Sequence, residues 1–89
     1  MSFQRDQEVL RMRVRFLNFQ DAFAFMSDVA RLAEHHDHHP DWRNVYNLVD
    51  ITLTTHDAGN QVTEKDLRLA ADIEELASLQ KAEVLPLEA

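Results

Sequence analysis

The residues of this chain best suited to chemistry are Glu34-His35-His36-Asp37-His38-His39-Pro40, followed by Tyr46 and by Thr54-Thr55-His56. Four of the five histidines fall between positions 35 and 39, and the fifth closes a strand-like run. An imidazole titrates near pH ~6.5, so several brought together can give and take protons at neutral pH. They could also ligate a metal. His35 and His39 have the i, i+4 spacing of helical ligands, but the His-Glu-x-x-His arrangement of zinc proteases is absent. Neighbours on a helix diverge by about 100°, so two adjacent pairs cannot all converge on one ion. Clustering alone is weak evidence for a metal, and the choice between catalysis and metal binding stays open on spacing alone. For His35 and His36 the favoured reading is a solvated helix end, since nothing later in the sequence is spaced to meet them.

Elements of regular structure must bring these residues together. Arg11, Arg13 and Arg15 alternate with Leu10, Met12, Val14 and Phe16, which is the period-two pattern of a strand from Glu8 to Phe16 with one buried face. The arginines then line a sheet face, solvated in the favoured reading and a partner-binding stripe in the other. Ser2 to Arg5 is a candidate first strand, with Asp6-Gln7 as its turn. From Asn18, a plausible N-cap, or from Asp21, the spacing turns helical, with Phe19, Ala22, Phe23, Met26, Val29, Ala30 and Ala33 on one stripe. Phe23, Phe25 and Met26 are read as core. Pro40 cannot continue the helix and biases His39 toward extended geometry.

Two further strands are expected, Arg43 to Tyr46 and Val49 to His56, with a tight turn around Asn47-Leu48. Val49, Ile51 and Leu53 share the buried face, while Asp50, Thr52, Thr54 and His56 share the other. Trp42 and Tyr46 are packing aromatics or walls of a site. Asp57-Ala58-Gly59-Asn60 is the strongest turn signal and holds the single glycine. Thr63 is an N-cap with Asp66 three residues on, as in a capping box, and Leu69, Ile73 and Leu76 mark the buried stripe of a second helix. The tail after Gln80 is expected to fray. The fold class is α+β, an antiparallel sheet of up to four strands with helices packed on one face. The other sheet face or an edge strand would be covered by a second copy, giving a homodimer or homotetramer.

Composition narrows the function further. Eighty-nine residues make one domain, spanning residues 1–89, that buries roughly two thirds of its surface. With no cysteine, thiolate chemistry and disulfides are excluded. A formal charge of −7 argues against nucleic acid as a direct partner. No long apolar run suggests a membrane span, so a cytoplasmic location is the expectation.

The stretch Glu34-x-x-x-His38-His39-Pro40, five residues to Tyr46 and nine more to His56 resembles the signature of the pterin-4a-carbinolamine dehydratases. Phe23-Ala24-Phe25-Met26, Asp37-His38-His39-Pro40-Asp41-Trp42, Asn44-Val45-Tyr46-Asn47 and Leu53-Thr54-Thr55-His56-Asp57-Ala58-Gly59 are similar to that family as well, so the likeness runs from about Phe16 to Ala77. The resemblance implies a lyase that removes water from 4a-hydroxytetrahydropterins to give the quinonoid dihydropterin, recycling the cofactor of aromatic amino acid hydroxylases. It implies a small-molecule pterin substrate and no metal or organic cofactor. By position, His38, His39 and His56 become the catalytic imidazoles, with Pro40 and Thr55 to Asp57 shaping the pterin pocket. Asp66 and Glu34 become supporting acids. His39 is favoured as the acid, with His38 and His56 sharing binding and base work.

Two departures from the family pattern are visible. The resemblance implies a helix ahead of the first strand, whereas these residues start almost at that strand, and the loop from Gly59 to Thr63 reads as one residue longer, with Thr63-Glu64-Lys65-Asp66 restoring the register. A second function stays open, a non-catalytic assembly or dimerisation module that retains the pterin pocket, because the family the chain resembles includes members that double as dimerisation cofactors and others that act in enzyme assembly with altered sites.

Overall fold

A computed structural model describes residues 3–87. The centre of the molecule is strand β2 (Val9–Arg15), whose alternation makes it two-faced. Its inward residues Leu10, Met12 and Val14 pair in antiparallel register with Leu53, Ile51 and Val49 of β4 (Leu48–Leu53). On the opposite face Arg11 and Arg13 stand across from Thr52 and Asp50. The hairpin partner of β4 is β3 (Asp41–Val45), which forms one edge of the sheet. A two-residue turn of Tyr46 and Asn47 joins them, one residue earlier than the spacing suggests, with Tyr46 in the left-handed region at φ 53°.

The other side of β2 carries two half-length strands. β1 (Gln4–Asp6) covers Val9 to Arg11, and β5 (Glu83–Leu85) covers Arg13 to Arg15. The expected first strand at Ser2 to Arg5 is therefore shifted: Ser2 lies outside the described residues, and the turn is Gln7-Glu8 with Gln7 at φ 57°. The expectation of a frayed tail is corrected by β5. Because β1 is so short, the edge of β2 from Arg13 to Arg15 would otherwise leave its backbone groups without partners. Residues 83–85 supply them, and the Arg15 guanidinium donates to Glu83 at 2.8 Å. The sheet thus has five strands, in the order β1-β2-β4-β3 with β5 also on β2, and the helices pack against it in an α+β arrangement.

Helix α1 (Phe19–His36) begins at Asn18, whose side chain accepts from the Asp21 amide at 2.8 Å. Its buried line is Ala22, Phe25, Val29 and Ala33. Phe25 is fully buried beside Phe16, with ring centroids 4.9 Å apart, whereas Phe23 is 55% exposed and stacks on Phe19 instead. The reading of Phe23 as core is thus corrected, while Phe25 bears it out. Helix α2 (Glu64–Leu79) explains the rotation of the stripe, since it lies along α1 and draws the buried line toward itself. Gln80 donates to Asp28 and His36 pairs with Asp72 at 2.7 Å across that boundary. Leu69, Ala70, Ile73 and Ala77 of α2 join the same apolar cluster, with Leu76 partly buried against it.

The arginine stripe is satisfied by its neighbours on the sheet. Arg13 meets Asp50 at 2.5 Å, and Arg11 lies 3.5 Å from Asp6. Such half-exposed pairs contribute little to stability and serve mainly to keep this face polar. The core carries the fold, so Phe25→Ala should cost about 3–5 kcal/mol in urea unfolding and Phe23→Ala less than about 1 kcal/mol.

Candidate active site

The site is assembled where α1 stops. Asp37 takes the left-handed conformation at φ 52°, its amide and that of His38 turn back onto the carbonyls of Glu34 and Ala33, and the helix closes. This reversal separates the two neighbouring histidines. His38 is driven inward and is only 8% exposed, while His39 stays at the surface. Pro40 then leads into β3.

The second half comes from the exit of β4. That strand ends at Leu53 rather than at His56, as the alternation implies, because Thr55 turns inward and forms an isolated bridge with Gln61. The Thr55 carbonyl accepts from the amides of Ala58 and Asn60, folding residues 55–61 into a tight loop. His56–Ala58 is one turn of 3₁₀ helix, closed by Gly59 at φ 78°, a conformation that favours glycine.

Asp66 holds the two halves together. It sits at the third position of α2, fully buried, and completes the expected capping box by accepting from the Thr63 amide at 2.8 Å. The same carboxylate accepts from the Thr55 hydroxyl at 2.6 Å and meets His38 Nε2 at 2.6 Å. Burial works against ionisation here, but the hydrogen bonds from Thr55, His38 and the Thr63 amide outweigh it and hold the carboxyl below its usual range.

Each imidazole of interest has one nitrogen fixed by an acceptor. A carboxylate only accepts, so Nε2–H of His38 donates to Asp66, and Nε2–H of His39 donates to Glu34 at 2.6 Å. His56 uses Nδ1, which donates to the Asn60 side-chain oxygen at 2.7 Å. That leaves Nδ1 of His38, Nδ1 of His39 and Nε2 of His56 as the nitrogens available for chemistry.

His38, His39 and His56 line one cleft of about 310 Å³, together with Pro40, Thr55 and Asp57. Of the residues singled out in the sequence, Asp66 stands behind the cleft through His38 and Glu34 beside it through His39. Asp37, Asp41, Thr54 and Lys65 also line it; they lie within the family-like stretches or beside Asp66, but spacing alone gives none of them a role in the site. Asn60 was equally hidden, although a polar side chain four residues after His56 in a tight turn is a usable signal. His35 stays out of the cleft, its ring edge-on to His36 at 5.7 Å. His36 is not merely a solvated helix end, because Asp72 on the facing helix meets it, a contact set by helix packing rather than by spacing. Among the described residues, no group of three or more His, Cys, Asp or Glu side chains is placed to hold a metal ion.

Comparison with known proteins decides the lineage. The family model for pterin 4 alpha carbinolamine dehydratase matches residues 2–76. This chain belongs to that family. A provisionally named pterin-4-alpha-carbinolamine dehydratase of Bordetella avium is 56% identical over 72 residues, 81% of this chain and 66% of the relative. Another so named, from Prochlorococcus marinus, is 51% identical over 80% of this chain and 74% of the relative. The chain therefore spans about two thirds to three quarters of the length of these relatives. Among solved structures it is similar to a transcriptional coactivator/pterin dehydratase from Brucella melitensis, with 41% identity, a TM-score of 0.79 and coverage of 85% and 82% of the two chains. It also resembles a pterin dehydratase-like protein identified as a RuBisCO assembly factor in the alpha-carboxysome, at 26% identity, TM-score 0.69 and coverage of 86% and 90%.

The lowered pKa of Asp66 has a signed consequence. Its stabilising contribution is present in full above the ordinary carboxylate range and is lost as pH falls through that range to the lowered folded value. Asp66→Asn should therefore be less stable at neutral pH by roughly 2–3 kcal/mol and should lose less stability on acidification than the parent, measured by urea unfolding across the acid range.

Proposed function

We propose that the cleft dehydrates 4a-hydroxytetrahydropterins to quinonoid dihydropterins by general acid-base catalysis. The observation that carries this reading is the convergence of three imidazoles, from two separate segments, on one cleft with one nitrogen of each ring left available. The substrate bears a hydroxyl on C4a, next to N5. Elimination delivers a proton to the departing oxygen, breaks the C4a–O bond to release water and removes the N5 proton, and the N5–H electrons form the C4a=N5 double bond. An acid and a base on either side of a planar ring meet these needs without an oxidant or reductant.

His39 is assigned as the acid. Its ring is held by Glu34 at the open side of the cleft, so the imidazolium can give up its Nδ1 proton and be recharged by solvent. His56 and His38 are assigned to pterin binding and to removal of the N5 proton. Thr55 and Asp57 shape the wall beside His56, and Pro40 shapes the wall beside His39. Asp66 and Glu34 are positioning residues, which fix the ring nitrogen of the histidine they hold.

The alternative is an assembly module that retains the cleft, a reading favoured by the similarity to the RuBisCO assembly factor. Rate measurements separate the two. Purified protein should accelerate decay of the 4a-carbinolamine in a stopped-flow or coupled-hydroxylase assay, and no acceleration above buffer would favour the assembly role.

His39→Ala and His56→Ala should each lower turnover by ~10² to 10⁴ while leaving the circular dichroism spectrum unchanged. A His39→Ala protein that works at the parental rate overturns the assignment of the acid. His38→Ala should differ by also lowering the unfolding midpoint, because it strands the buried Asp66 carboxylate without its imidazole partner.

A further inference from the structure

Resting on the reading of the cleft as a dehydratase site, we propose that its charge selects pterins with an uncharged C6 side chain and rejects those carrying a carboxylate or phosphate there. Three carboxylates, Asp37, Asp41 and Asp57, and one ammonium, Lys65, line the cleft, a net formal charge of −2 with neutral imidazoles. None of these four side chains has a hydrogen-bond or ion-pair partner among the described residues, so the chain itself does not neutralise them. Glu34 and Asp66 place two more carboxylates immediately behind the imidazoles.

The chemistry of the ring brings the side chain into this field. C6 is bonded directly to N5, the nitrogen that must lose its proton to an imidazole. Whatever the orientation of the pterin, its C6 substituent starts beside the reacting atoms and leaves past the same walls. An anionic substituent meets three like charges and one opposite charge, within a chain of formal charge −7. In a solvent-open cleft each such pair is weak, and the surplus of two amounts to about a tenfold difference in affinity at low ionic strength. A hydroxylated or alkyl side chain escapes this repulsion, and its hydroxyls find acceptors in the same carboxylates.

The test is calorimetric binding of two nearly isosteric probes to the full chain, a dihydropterin with a hydroxymethyl group on C6 and one with a carboxylate on C6. The hydroxymethyl probe should bind about tenfold more tightly at low salt, and the gap should shrink to about threefold or less near 1 M salt, where the screening length is ~3 Å. Asp37→Asn combined with Asp41→Asn should narrow the low-salt gap, and Asn tolerates the left-handed backbone at position 37. Lys65→Gln should widen it. Equal or tighter binding of the carboxylate probe, or a gap indifferent to salt, overturns the selectivity. The expected preference without accelerated dehydration leaves selectivity standing and sinks the catalytic reading. Binding of neither probe overturns both.

Discussion

One buried carboxylate couples the fold to the site. Asp66 caps α2, receives the Thr55 hydroxyl at the exit of β4 and holds His38 just after α1, so three elements remote in sequence share a single anion. A charge without solvent is tolerated only when its acceptor positions are filled, and here they are filled by three donors. No buried side-chain nitrogen or oxygen lacks a partner among the described residues, which is the condition for such a junction to stabilise rather than cost. The cleft inherits its shape from this junction, because moving any one donor exposes or strands the carboxylate.

The three histidines are held at different strengths. His38 is locked in the interior through Asp66, and its position is as fixed as the core around it. His39 and His56 sit at the surface and rely on near neighbours, Glu34 five residues earlier and Asn60 four residues later. Local anchors of this kind orient a ring while leaving it in contact with water, which suits groups that must exchange protons with solvent. Under the proposed function, a rigid imidazole beside two solvent-linked ones would divide the work of binding and proton transfer in a way that three equivalent rings would not.

Strand β2 illustrates how a small sheet manages its edges. One side is paired along its length by β4, and the other is shared by β1 and β5, each three residues long. Short segments at an edge limit the run of free backbone groups that could recruit another chain. The charged outer face works the same way, with Arg11, Arg13 and Arg15 each paired to an acid on a neighbouring strand. β3 forms the opposite edge of the sheet, beyond β4.

Much of this was legible in the residues alone. The alternation of β2 and β4, the N-cap at Asn18, the capping box of Thr63 and Asp66, and the turn at Gly59 are local signals, because each is set by chain geometry within a few residues. The family likeness carried by His38, His39, Pro40 and His56 belongs to the same class of information. Where the reading failed, the cause was distant: α2 rotated the buried stripe of α1 from Phe23 to Phe25, and a vacant half of β2 captured the tail as β5. Only the tertiary structure brought Asp72 to His36, chose His38 as the buried ring and put Asp37, Asp41 and Lys65 on the cleft wall. Periodicity reports which face of an element is apolar, but which neighbour covers that face depends on packing between elements far apart in the chain.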